Sequence, residues 1–143
     1  MWSPDADGPK AIDIPLFFRR YGWAFKTDAP RTHRTGFRGQ HDTFEVSVKE
    51  TDHWVAFTIH PLLQHTDHLG AMTLLALAHA NHVSSLVKFG IDSDDEIVLT
   101  IEFPLDGFTY AHFAEALDSI SQTADAFSVA LLQATAIDRL RSN

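Results

Sequence analysis

The chain contains no cysteine. This excludes a disulfide framework, a thiolate zinc site and thiol nucleophiles, and it suits a reducing compartment. The first residues lack a basic segment followed by an apolar run, so no signal peptide is visible. No apolar run approaches the roughly 20 residues that a membrane-spanning helix needs. A cytoplasmic protein without a membrane partner is the expectation. Glycine is sparse, seven in 143 residues, and none of it builds a phosphate loop or a dinucleotide fingerprint. A Gly-x-Ser-x-Gly elbow and a His-Glu-x-x-His pair are also missing. The sequence therefore offers no catalytic residue and no cofactor site. The expected function is non-catalytic.

What is present fits a single globular domain with a real core: 45% of residues are hydrophobic and 21% charged. Residues 1–10, with Pro4, Gly8 and Pro9, read as a disordered leader, and 11–143 as one domain. Net charge is −8, unevenly placed. Residues 1–40 hold seven Lys or Arg against four Asp, and the remainder holds four against fifteen acidic residues. An acidic body repels phosphate backbones, while its basic corner can pair with a charged protein surface or with the chain's own carboxylates.

Hydrophobic periodicity places the elements. Ile12 to Tyr21 reads as a short helix, with Asp13 and Pro15 suited to its first turn and Gly22 stopping it. Trp23-Ala24-Phe25 alternates like a strand. Lys26 to Gln40 is polar and basic, punctuated by Pro30, Gly36 and Gly39. It reads as a loop or weak edge strand around Phe37, mobile until a partner orders it. Phe44, Val46 and Val48, then Val55, Phe57 and Ile59, form a hairpin. Leu69 to Val83 is a helix apolar nearly all round, hence expected to be largely buried. Leu86 to Ile91 and Ile97 to Phe103 form a second hairpin across the turn Asp92–Glu96. A long helix runs from Thr109 to about Leu140. The order α-β-β-β-α-β-β-α predicts an α+β fold, an antiparallel sheet with helices on one face.

Several pieces fall in a recognisable order. They are Tyr21-Gly22-Trp23, the stretch Asn81-His82-Val83-Ser84-Ser85-Leu86-Val87-Lys88-Phe89, Asp92-Ser93-Asp94-Asp95-Glu96 with Ile97 to Phe103, and the long helix near Phe113. In this order they resemble the YbjN-like proteins, which share the fold of type III secretion chaperones. The likeness spans roughly Asp13 to Leu132, and the basic stretch Lys26 to Gln40 departs from the family pattern. It implies a homodimer that binds protein, without enzymatic activity, as a chaperone-like regulator or adaptor connected with stress response.

The long helix carries the main functional expectation. Tyr110, Phe113, Leu117, Ile120, Ala124, Phe127, Leu131 and Ala134 recur in three-four alternation, a stripe narrowed toward a coiled-coil seam. At 1.5 Å per residue the helix is roughly 45 Å long, against a domain diameter of roughly 37 Å. Phe127, Leu131 and Ala134 should then lie beyond the domain and be covered by a second subunit or a protein partner.

Other candidates are weaker. Arg31, Arg34 and Arg38, with Phe37 between them, form a small basic and aromatic cluster that could contact a charged partner or hold single-stranded nucleic acid. Nucleic-acid binding through residues 26–40 is the alternative function. His65 and His68, and His79 and His82, are each three apart, with His60 nearby. This invites zinc or nickel and a metal-dependent enzyme as the third reading. No carboxylate stands in register with them, so no metal ligand is expected. The acidic turn Asp92–Glu96 lacks the spacing of a calcium loop and reads as a solvated hairpin turn.

Overall fold

A computed structural model describes residues 12–63 and 69–142; the expected leader and His65 and His68 lie outside them. Helix α1 (Ile14–Tyr21) starts where the Asp13 carboxylate accepts the Leu16 N–H at 3.1 Å. It stops at Gly22, whose φ of +94° only glycine adopts without strain and whose N–H reaches the Phe18 carbonyl. Strands β1 (Phe25–Ala29), β2 (Thr32–Arg38), β3 (Thr43–Glu50) and β4 (Trp54–Ile59) follow as a meander. Then come α2 (Ala71–Val83), the hairpin β5 (Lys88–Ile91) and β6 (Ile97–Pro104), and α3 (Tyr110–Ser142). The sheet order is β1-β2-β3-β4-β6-β5, antiparallel throughout.

This is the expected α+β architecture. The basic stretch, read as a loop or weak edge strand, supplies most of the edge strand β1 and all of β2, which pairs with β3 from Thr32 opposite Lys49 to Arg38 opposite Thr43. Strand β2 thus lies inside the sheet, between β1 and β3. The inward positions of β2 are His33, Thr35 and half-buried Phe37, so a buried face made partly of polar types hid the strand period.

One face of the sheet is apolar because the strands alternate. Phe44, Val46, Val48, Val55, Phe57, Ile59, Ile97, Leu99 and Ile101 all point inward and are buried. Ile14 and Phe18 of α1 and Phe113, Leu117 and Ile120 of α3 cover them. Phe113 sits at the centre, 4.9 Å from the Phe18 ring and 5.7 Å from Phe57. The sheet accounts for the first half of α3 only.

The second half of α3 is covered by α2. The two helices run antiparallel. Asp138, near the end of α3, meets Gly70, Met72 and Thr73 at the start of α2. Val83 at the other end of α2 faces the same cleft as Phe127. Asn81 of α2 holds β5 in both directions, donating to the Phe89 carbonyl at 2.9 Å and accepting the Phe89 N–H at 2.7 Å. That amide satisfies backbone groups of an edge strand which would otherwise be open to pairing.

Candidate protein-binding surfaces

The structure relocates the exposed apolar surface. Leu131 is 1% exposed and Ala134 is buried within the monomer, beneath α2. Phe127 is half-buried, edge-on to Phe89 at 5.6 Å. The expectation that these three lie beyond the domain is corrected by packing: α2 lies antiparallel along the stripe and covers it from the same chain.

The cost of that cover appears on α2. A helix apolar nearly all round has two apolar faces, and only one can point inward. Thr73, Leu77 and Ala80 are buried. Leu74 and Leu75 are 47% and 67% exposed, flanked by exposed Ala71 and Ala78. The expectation of a largely buried helix thus holds for one face alone. The back of α3 presents Leu132, Ile137 and Leu140, also exposed. The helical layer thus exposes apolar side chains on both α2 and α3. What it can do is bury area against another apolar surface.

The end of α2 is fixed by a residue that periodicity does not reveal. Asp138 is a buried acid in the last turns of α3. Its Oδ2 accepts from Thr73 N–H at 2.8 Å, Thr73 Oγ1 at 2.5 Å and Gly70 N–H at 3.1 Å, and its Oδ1 accepts from Met72 N–H at 3.0 Å. Gly70 has no side chain to cap α2, and Asp138 supplies the cap from another helix. The Thr73 hydroxyl first, then the backbone N–H groups, hold its carboxyl below the usual range against the opposing effect of burial. Asp125 acts similarly where α3 passes the β2–β3 turn, accepting the Gln40 N–H at 2.7 Å. An acid within an otherwise core-facing stretch of helix is the only sequence signal for either residue.

The basic cluster is largely engaged within the chain. Arg31 pairs with Asp52 at 2.9 Å and Glu50 at 3.8 Å. Arg34 pairs with Asp28 at 2.6 Å and Glu45 at 3.3 Å. The Arg34 guanidinium is pushed further up by the Asp28 and Glu45 carboxylates, and the Asp52 carboxyl is pulled down by Arg31. Phe37 is stacked between Trp23 at 5.8 Å and Phe44 at 5.0 Å, so its faces are taken. Arg38 is exposed on the same strand. His33 faces the Phe18 and Phe25 rings, and burial pushes its pKa down despite Glu50 and Asp13. His79 and His82 are exposed on α2, while His60 turns to the acidic hairpin turn.

No helix among the described residues is long and apolar enough to cross a membrane. A six-stranded antiparallel sheet with helices on one face, closed by a long C-terminal helix, defines the class of type III secretion chaperone-like folds. Within that class the chain belongs to the YbjN family, described as a "putative bacterial sensory transduction regulator", which matches residues 14–133. Two solved structures share the fold. One is YbjN from E. coli, at 17% identity and a TM-score of 0.55, covering 81% of this chain and 89% of that one. The other is the heterodimeric complex ExoU-SpcU from the type III secretion system of Pseudomonas aeruginosa, at 20% identity and a TM-score of 0.57, covering 83% and 97%. No curated protein matches the chain.

Proposed function

We propose that the protein is a non-catalytic binding adaptor or chaperone-like regulator, working as a cytoplasmic homodimer and taking part in stress tolerance. The observation that carries this reading is the uncovered face of α2. Leu74 and Leu75 stand exposed between Ala71 and Ala78, and small flanking residues let a second helix approach closely. A two-fold axis across this face would set each leucine pair against its own copy. Burying what remains exposed contributes about 1–2 kcal/mol per leucine, and symmetry doubles it. Leu132, Ile137 and Leu140 of α3 are then left for a different protein. The fold neighbour found in a heterodimeric secretion complex supports a protein as that partner.

Nucleic acid is the weaker alternative. Arg31 and Arg34 are balanced by carboxylates and Phe37 has no free face for a base. An enzyme on the histidines is weaker still, since His79 and His82 are exposed on α2 and belong to no group of three metal-ligating side chains among the described residues.

The test is stoichiometric co-purification from the native cell, comparing wild type with Leu132→Asp/Leu140→Asp. A partner retained by wild type and lost by the variant supports the reading. Equal retention by both places the binding surface elsewhere and overturns it.

A further inference from the structure

Taken along the sequence, the histidines and the acidic turn are each incomplete as ligand sets. The fold joins them. His60 follows the last residue of β4, and Glu96 precedes the first of β6. These strands are antiparallel neighbours, with Ile59 opposite Leu99, so the end of one meets the start of the other. His60 Nε2 is hydrogen-bonded to Asp92 Oδ2 and lies 3.2 Å from Glu96 Oε2. Donor atoms of the three residues all lie within 4.8 Å of one another.

We infer that His60, Asp92 and Glu96 form a site for a divalent first-row transition ion, with zinc the best match to one imidazole and two carboxylates. Bonds from these donors to zinc run about 2.0–2.2 Å, which sets neighbouring donors about 3.0–3.5 Å apart around the ion. The His60–Glu96 separation of 3.2 Å falls in that range; the shorter His60–Asp92 hydrogen bond must open as the ion replaces the proton between them. Two carboxylates cancel the ion's charge, and Asp94 and Asp95 in the same turn deepen the negative potential.

Asp92 is positioned for the role. Its Oδ1 accepts the N–H groups of Asp94 and Glu96, both at 2.9 Å, which leaves Oδ2 aimed at His60. Outer hydrogen bonds of this kind fix a ligand's orientation. The side chains of His60 and Glu96 are 46% and 44% exposed, so an ion can enter and water can complete its coordination. Calcium and magnesium prefer all-oxygen sets, and copper(I) prefers sulfur. An ion held here would clip the β5–β6 turn to the end of β4 and stabilise the native chain.

The experiment is calorimetric titration of zinc chloride into the untagged full chain, with thermal melts alongside. One equivalent should bind per chain and raise the melting temperature. His60→Gln should weaken binding about tenfold or more, as should Asp92→Asn/Glu96→Gln. The double variant keeps all nine histidines of the chain and the shape of the turn, so it answers the question even if His60→Gln folds poorly. Cobalt(II) should give visible bands in wild type that the double variant lacks. No zinc uptake by wild type at several hundred micromolar overturns the inference. So does equal affinity in the double variant, which would move the ion to other histidines.

Discussion

Replacing Leu131 with alanine distinguishes a core residue from an interface residue. The side chain is 1% exposed inside the monomer, on the stripe of α3 that meets the inner face of α2. Removing three carbons there leaves a cavity walled by two helices, and Leu→Ala changes at such sites cost about 3–5 kcal/mol. At roughly 3 °C per kcal/mol for a domain of this size, the melting temperature should fall by about 10 °C. Leu75→Ala is the control. That side chain is 67% exposed, so its loss in the monomer should cost about 0.5 kcal/mol or less, under about 2 °C. The assay is circular dichroism in urea and on heating, at sub-micromolar protein so that association adds nothing to stability. If Leu131→Ala melts like wild type while Leu75→Ala falls by 10 °C, the assignment of inner and outer faces is inverted and the account of the helical layer fails.

Asp138 should make stability depend on pH. Its folded pKa is depressed, so its contribution is fully present at neutral pH. It should be lost as pH falls from about the ordinary carboxylate value of 3.8 through the lower folded value. Asp138→Asn should be less stable at pH 7 and show a shallower acid limb in denaturation titrations; parallel curves for the two proteins would remove Asp138 as the cap. Gly70→Ala places a Cβ 2.5 Å from Asp138 Cγ, too close to stand, and should lower the melting temperature by several degrees. In the Asp138→Gly background, which also removes the Cβ 2.9 Å away, the same change should cost much less, and full additivity in that cycle would contradict the contact.

The hairpins and the long helix were legible because their inward residues are apolar at a clean period: Phe44, Val46 and Val48 on β3, Ile97, Leu99 and Ile101 on β6. Strand β2 was only half legible, since His33 and Thr35 are buried polar residues and give no hydrophobic alternation. The apolar faces of α2 and α3 were also readable. Which face meets which was not, because periodicity marks a face without naming its neighbour. The excess apolar surface was therefore assigned to Phe127, Leu131 and Ala134, whereas α2 covers Leu131 and Ala134 and exposes Leu74 and Leu75 in exchange. Asp138 and the His60–Asp92–Glu96 cluster depend on contacts across 66 and 32 positions of sequence, beyond the reach of any local pattern.

In the proposed homodimer, the outer face of α2 is the interface between two copies of the chain. Sedimentation velocity of wild type and of Leu74→Asp/Leu75→Asp at tens of micromolar tests it most directly. Two carboxylates on that face would face two more across the two-fold axis, an unpaired charge cluster in an apolar contact. Wild type should sediment as a dimer, and the variant as a monomer whose circular dichroism spectrum matches wild type. A wild type that sediments as a monomer at that concentration, or a variant that remains a dimer, contradicts the account.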